Sequence, residues 1–128
     1  MKIPQVLEEV LFRDLRARYQ RNPVEVTNNL VAKEEQILNY LGTYFPRSFA
    51  EAYETFIDLL SNPLLYTKFS GKANIKLLDI GAGTGGYALG VIWALKTRFG
   101  HLPHVEVVAI EGNNDHLNFL KRIFSSVF

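Results

Sequence analysis

The sequence predicts an α/β fold in which amino-terminal helices precede a short parallel sheet. Up to about residue 70 the apolar residues recur at helical spacing, whereas two short apolar runs alternate with helical segments after Gly71. A strand–helix–strand crossover of this length predicts that the two strands pair in parallel. We therefore expect a helical region over residues 1–72 and a partial α/β domain over residues 73–128.

Three helices are expected in the first region. Apolar residues share one face over residues 4–19, which predicts the first helix. An Asn-Pro-Val-Glu start at residue 22 opens the second, which should end at Gly42. A capping box at residues 48–51 opens the third, which Asn62 and Pro63 should close. The pattern of residues 64–69 does not choose between helix and coil.

The second region has the order strand, helix, strand, helix. Residues 75–80 form a short apolar run, and residues 105–110 form a second run rich in β-branched side chains. The helix between them should cover residues 87–99 and end at Gly100. Asn113 or Asn114 is expected to cap the last helix.

Composition excludes several functional classes. The 128 residues carry a net charge of +1, which argues against a dedicated nucleic-acid surface, and no cysteine is present to form a disulfide, a thiolate metal site or a thiol nucleophile. The amino terminus lacks the apolar core of a signal peptide, and no apolar run reaches the roughly 18 residues that span a bilayer. We expect a cytoplasmic protein without a metal site.

A glycine-rich turn follows the first strand and is flanked by acids. The turn reads Gly81-Ala82-Gly83-Thr84-Gly85-Gly86, with Asp79 before it and Glu111 at the end of the second strand. Glycines permit a sharp turn and close approach of the backbone to a ligand at the carboxyl edge of the sheet. The turn matches the G-x-G-x-x-G of dinucleotide binders, but Asp79 would repel a pyrophosphate. It would attract a ligand that carries an ammonium or a sulfonium group.

The segments LLDIGAGTGG and VVAIEGN resemble the first two motifs of class I S-adenosylmethionine-dependent methyltransferases. The resemblance covers about residues 76–120 and implies a Rossmann-like domain that binds S-adenosylmethionine as its cofactor. It implies that Asp79 lies near the methionine portion and that Glu111 holds the ribose hydroxyls. The whole implied cofactor site consists of Asp79, Gly81, Ala82, Gly83, Thr84, Gly85, Glu111, Gly112 and Asn113.

The resemblance leaves the acceptor side unassigned. The sheet of that family has more strands than the two predicted here, and the strands that usually face the methyl acceptor have no counterpart, so no catalytic residue is named. Three outcomes follow: a truncated front part of a longer methyltransferase, a homodimer built through an exposed sheet edge, or completion by another chain. The alternatives in function are a non-catalytic module that binds S-adenosylmethionine, and a dinucleotide-binding fragment.

Simpler roles compete with each of these. The glycines can form only a tight turn, Asp79 can cap a helix without any ligand, and Glu111 can be a solvated acid at a strand end. His101 and His104 flank a proline in a polar loop, which favours solvation over metal binding. Residues 44–65 are our candidate for a cap over the pocket. Helical spacing favours the core over the pocket for the aromatic residues Tyr40, Tyr44, Phe45, Tyr53 and Phe56.

Overall fold

The computed structural model describes residues 2–19 and 34–128. The elements in chain order are α1 (Gln5–Glu8), a π-helical segment (Glu9–Asp14), α2 (Glu34–Leu59), α3 (Pro63–Phe69), β1 (Asn74–Ile80), α4 (Gly86–Phe99), β2 (His104–Ile110) and α5 (Asn114–Val127). This is the mixed α/β class that the sequence predicts. The start of the predicted second helix, at residue 22, lies outside the described residues.

The two strands pair in parallel, as predicted. Asn74 lies opposite His104 at one end of the ladder, and Ile80 lies opposite Ile110 at the other. Both strands begin one residue before the predicted bounds. Because the strands are parallel, their carboxyl ends meet at one edge, which brings the glycine turn and Glu111 together.

The predicted caps of the later helices are confirmed. Asn113 caps α5 with its side-chain oxygen, which accepts from the backbone N–H of Asp115 at 2.9 Å. The undecided residues 64–69 are helical, since Asn62 caps α3 by accepting from the N–H of Leu64 at 2.9 Å. α4 ends at Gly100, whose φ of 71° is the left-handed conformation of a helix end.

The predicted break between residues 42 and 48 is wrong, because α2 runs without interruption through both positions. Its apolar stripe passes from Leu41 through Phe45 and Phe49 to Ala52, all buried. Burial of this stripe outweighs the local preference of glycine and proline to end a helix. Gly42 lies within the helix and packs directly against the backbone of Arg18. A side chain at this position would collide with the carbonyl oxygen of Arg18.

The first helix is shorter than the predicted residues 4–19. After α1 the chain widens into π-helical geometry, in which the N–H of Leu15 donates to the carbonyl of Val10 at 2.9 Å. The helix ends there, and Arg16 follows with a φ of 59°. The N–H of Arg18 then donates to the carbonyl of Leu38 in α2 at 2.9 Å, which attaches the amino-terminal segment to that helix.

The core joins the predicted regions through the packing of α2 on α4. Gly90 allows the two helices to approach closely, since a Cβ there would lie 2.4 Å from the carbonyl oxygen of Phe49. A larger cluster unites the amino-terminal segment, α2, α4 and α5, and a smaller one unites α2, α4 and one face of the sheet. The sheet side of the smaller cluster consists of Ile75, Leu77 and Val105.

The opposite face of the sheet is open and apolar. Its side chains alternate with those that face the smaller cluster, and four large apolar residues there are about half exposed or more. They are Leu78 at 58 %, Ile80 at 74 %, Val108 at 48 % and Ile110 at 52 %. We call these four residues the open face. Within residues 2–19 and 34–128, no helix combines the length and the apolar character needed to cross a bilayer.

Candidate functional site

A cavity of about 320 Å³ lies at the carboxyl edge of the sheet, between the glycine turn and α2. Its volume falls at the lower end of the range for small-molecule sites. Three elements supply its walls: α2, the end of β1 with the turn, and the first residues of α4. The lining residues are Tyr40, Phe45, Ser48, Asp79, Ile80, Gly81, Ala82, Thr84, Gly86 and Tyr87.

Alternate glycines shape the turn as predicted. Gly81, Gly83 and Gly85 have φ values of 76°, 55° and 90°, a region that side chains other than glycine rarely adopt. Around Gly81 a Cβ would meet no atom within 4 Å, so the backbone faces open space beside the cavity. The position of a Cβ on Gly83 lies 2.8 Å from the hydroxyl oxygen of Tyr40. The turn is therefore open at its start and covered further on.

Protein oxygens already accept most of the N–H groups of this turn. The N–H groups of Gly81 and Ala82 donate to the carbonyl of Ile110 at 2.7 and 3.0 Å. The N–H of Gly83 donates to Glu111 Oε2 at 2.8 Å, and the N–H of Gly85 donates to the carbonyl of Ala82 at 2.9 Å. An anion-binding turn directs such groups at its ligand. Their internal use here removes the main donors that a pyrophosphate requires.

Asp79 lines the cavity and also makes a structural contact. The backbone N–H of Ala88, in the first turn of α4, donates to this carboxyl group. Oδ2 is buried and has no hydrogen-bond partner among the described residues. Burial raises the pKa of Asp79; the hydrogen bond from Ala88 opposes this, and the charge of Glu111 adds to it. A cation in the cavity would satisfy the free oxygen and stabilise the ionised form.

Glu111 links the ends of the two strands. Its Oε2 accepts from Gly83, and its Oε1 accepts from the N–H of Asn113 at 3.1 Å. The carboxylate therefore fixes the glycine turn of β1 to the segment that follows β2. Each carboxylate oxygen has a second acceptor position, so these bonds leave room for a ligand hydroxyl.

The predicted site residues separate into two groups. Asp79, Gly81, Ala82 and Thr84 line the cavity. Behind them lie Gly83 and Gly85, which are buried, while Glu111 is half-buried and Gly112 is exposed. Asn113 is buried and caps α5. Of the aromatic residues that helical spacing favours for the core, Phe45 is buried in the larger cluster and Phe56 packs against the smaller one. Tyr40 and Phe45 also line the cavity.

The sequence offers His116 only as a third candidate metal ligand with His101 and His104, and it does not predict that this residue lies behind Tyr40. The two rings stack with centroids 4.7 Å apart, and the imidazole is only 1 % exposed. Burial lowers the pKa of His116, against the opposing charges of Glu111 and Asp115. In the sequence, its place three residues after the capping Asn113 indicates only that it lies in the first turn of α5.

The other two histidines differ from His116 in their exposure to solvent. His101 and His104 are exposed, and Nδ1 of His101 lies 2.9 Å from the carbonyl oxygen of Phe99. In the part of the chain that the structure describes, no three His, Asp or Glu side chains are grouped so that they could hold a metal ion.

Comparison of the chain with protein-family models, with curated protein sequences and with solved structures gave no match.

Proposed function

We propose that the chain is the S-adenosylmethionine-binding portion of a methyltransferase and that the cavity beside the glycine turn receives the cofactor. Asp79 carries this proposal, because it lines a small-molecule cavity and its buried Oδ2 has no hydrogen-bond partner among the described residues. A ligand with a positive charge satisfies it. S-adenosylmethionine brings both a sulfonium and an ammonium group.

The charge around the turn favours this cofactor over a dinucleotide. Asp79 and Glu111 are close enough for the charge of Glu111 to raise the pKa of Asp79. Two acids at this point create a negative potential that opposes a pyrophosphate. The N–H groups at positions 81, 82, 83 and 85 are already bonded to protein oxygens, so the turn offers little compensation.

The proposed roles follow the positions of the residues. Asp79 and the open backbone at Gly81 bind the positively charged amino-acid end, with Ala82 and Thr84 forming the adjacent wall. Glu111 accepts from the ribose hydroxyls while it holds the turn. Gly83 and Gly85 shape that turn, and Gly112 and Asn113 border the adenosine in a Rossmann-like arrangement.

In this proposal the described residues serve the donor side of the reaction. When bound, S-adenosylmethionine supplies an electrophilic methyl group, and the work of the protein is to align the acceptor with it and to exclude water. The aromatic rings of Phe45 and Tyr87 line the cavity and would help to exclude water from it.

Calorimetric titration tests the proposal. We expect S-adenosylmethionine and S-adenosylhomocysteine to bind and nicotinamide adenine dinucleotide not to bind. Binding of the dinucleotide instead would overturn the cofactor assignment. Incubation with methyl-labelled S-adenosylmethionine and extracts of RNA, protein and small molecules then distinguishes the methyltransferase from the non-catalytic module, which binds without transferring label.

We further propose that a second copy of the chain covers the open face. Apolar patches of this kind mark interaction sites. Lys76 Nζ and Glu106 Oε2 lie 3.7 Å apart on that same face. A two-fold axis over the face sets each lysine against the other copy's glutamate, which makes the surface self-complementary. A completing chain of different sequence is the competing occupant.

A further inference from the structure

Tyr40 belongs to a group of aromatic rings at the wall of the cavity. Its ring stacks on His116 of α5 at 4.7 Å and 26°, and it packs on Tyr44 of α2 at 5.2 Å and 31°. The hydroxyl oxygen lies beside the glycine turn, 2.8 Å from the position of a Cβ on Gly83. The ring of Tyr40 is thus held by aromatic neighbours, and its hydroxyl end reaches the turn.

His116 is an unexpected residue for the position that it occupies. Its side chain is 1 % exposed, and neither Nδ1 nor Nε2 has a hydrogen-bond partner within residues 2–19 and 34–128. A buried polar ring without partners costs free energy that an apolar side chain of similar size would avoid. The contact that the structure shows for this ring is its stack on Tyr40.

The environment keeps that imidazole uncharged near neutral pH. Burial lowers the pKa of His116, although Glu111 and Asp115 oppose this. The phenol it contacts also stays protonated, because burial and the charges of Glu111, Tyr44 and Asp79 raise the pKa of Tyr40. Two flat, neutral rings therefore lie against each other, an arrangement in which stacking fixes orientation.

We propose that His116 is a positioning residue: its buried ring fixes Tyr40 so that the tyrosine hydroxyl contacts the polar part of the bound ligand beside the glycine turn. This inference rests on the proposed function, since it concerns the same cavity. It adds a specificity contact from α2, which lies outside the two motifs LLDIGAGTGG and VVAIEGN. His116 acts only through Tyr40, because it does not line the cavity itself.

Two substitutions separate positioning from structural support. His116→Phe keeps a flat ring, and we expect its affinity for S-adenosylhomocysteine to stay within about twofold of wild type. His116→Leu keeps an apolar volume without a ring, and we expect about fivefold weaker binding. Its midpoint of urea unfolding should equal or exceed that of wild type, because two unpartnered nitrogens are removed. A merely structural role would not lower affinity while stability is kept.

The Tyr40→Ala background completes the experiment. There, His116→Leu should cause no further loss of affinity, because its effect passes through the tyrosine ring. Equal affinity of His116→Leu and wild type would overturn the inference and leave the proposed function standing. An undiminished effect of His116→Leu in the Tyr40→Ala background would overturn it as well. If the wild-type chain binds neither S-adenosylhomocysteine nor S-adenosylmethionine, the proposed function falls, and the inference falls with it.

Discussion

Asp79 combines a structural contact with a position in the cavity wall. The hydrogen bond from Ala88 ties it to the start of α4, while the buried Oδ2 has no hydrogen-bond partner within residues 2–19 and 34–128. Burial raises its pKa above the value in an unfolded chain, so its contribution to stability is fully present below about pH 3.9 and is lost as pH rises through the folded pKa. At neutral pH the ionised group therefore opposes folding and favours a cation.

Asp79→Asn should consequently be tolerated by the fold. The amide keeps an acceptor for the N–H of Ala88 and removes the buried charge. We expect the free energy of unfolding at pH 7, measured in urea, to equal or exceed that of wild type, with any loss within about 0.5 kcal/mol. Asp58→Asn, on the exposed side of α2, is the matched control. A large loss in Asp79→Asn alone would show that Asp79 serves the fold rather than a ligand.

The contribution of His116 to stability should depend on pH with the sign opposite to that of Asp79. Its folded pKa is lowered, so the stability that it contributes is present above about pH 6.5 and is lost as pH falls towards the folded pKa. We expect His116→Phe to lose less unfolding free energy than wild type between pH 7 and pH 5. His101→Phe, which replaces an exposed imidazole, is the matched control. Identical slopes for all three proteins would contradict the buried, neutral state of His116.

Among the elements, the contact between α2 and α4 determines where the cavity wall lies. Tyr40, Phe45 and Ser48 reach the site from α2, and the beginning of α4 forms the opposite side. Gly90 sets the distance between the helices, since its Cα faces the carbonyl oxygen of Phe49. This contact therefore serves both the core and the site.

Gly90→Ala should separate these helices. Because the added methyl would lie 2.4 Å from a backbone oxygen, we expect a loss of about 2 kcal/mol or more in unfolding free energy. Gly71→Ala is the matched control: its Cβ would meet no atom within 4 Å, and only its φ of 76° adds a cost of about 1 kcal/mol. Equal losses in urea unfolding would refute the close approach of the two helices.

The sequence was sufficient for the elements whose signals are local. The strands, α4 and the Asn113 cap follow from β-branched runs, terminal glycine and side-chain capping, and they are confirmed. The interruption of α2 was wrong because burial of the stripe through Phe45 and Phe49 depends on tertiary packing that a local pattern does not contain. The π-helical turn at Glu9–Asp14 likewise has no distinctive pattern in sequence.

In the candidate site, too, the residues of one local motif were predictable, whereas contacts between distant elements were not. Asp79, Gly81, Ala82 and Thr84 share one local motif, and the structure brings them to one cavity. The stack of Tyr40 on His116 joins α2 to α5, which lie far apart in sequence, so spacing could not predict it. For the same reason, the bond from Gly83 to Glu111 required the parallel register before it could be recognised.

At the scale of the whole molecule, the open face exposes apolar side chains to solvent in an isolated chain. It lies beside strands that have no neighbour on their outer edges among the described residues. Parallel sheets are ordinarily covered on both faces. Association through this face would complete the layer and would reach the rim of the cavity at Ile80, which belongs to both surfaces.

Leu78→Lys should weaken that association, because it places a charge at the centre of the open face. We expect wild type to be dimeric by light scattering and Leu78→Lys to be shifted towards the monomer. Leu64→Lys, at an 81 % exposed position on α3, should leave the dimer intact. A wild-type chain that remains monomeric at all accessible concentrations would contradict a second copy as the occupant.

The most direct test of the account is the affinity of S-adenosylmethionine for wild type and for Asp79→Asn, measured by calorimetry at pH 7. We expect wild type to bind and the variant to bind at least about tenfold more weakly while its fold is unchanged, because a charge-assisted contact is lost. Equal affinities, or no binding by wild type, would contradict the claim that this acid at the glycine turn recruits a positively charged nucleoside.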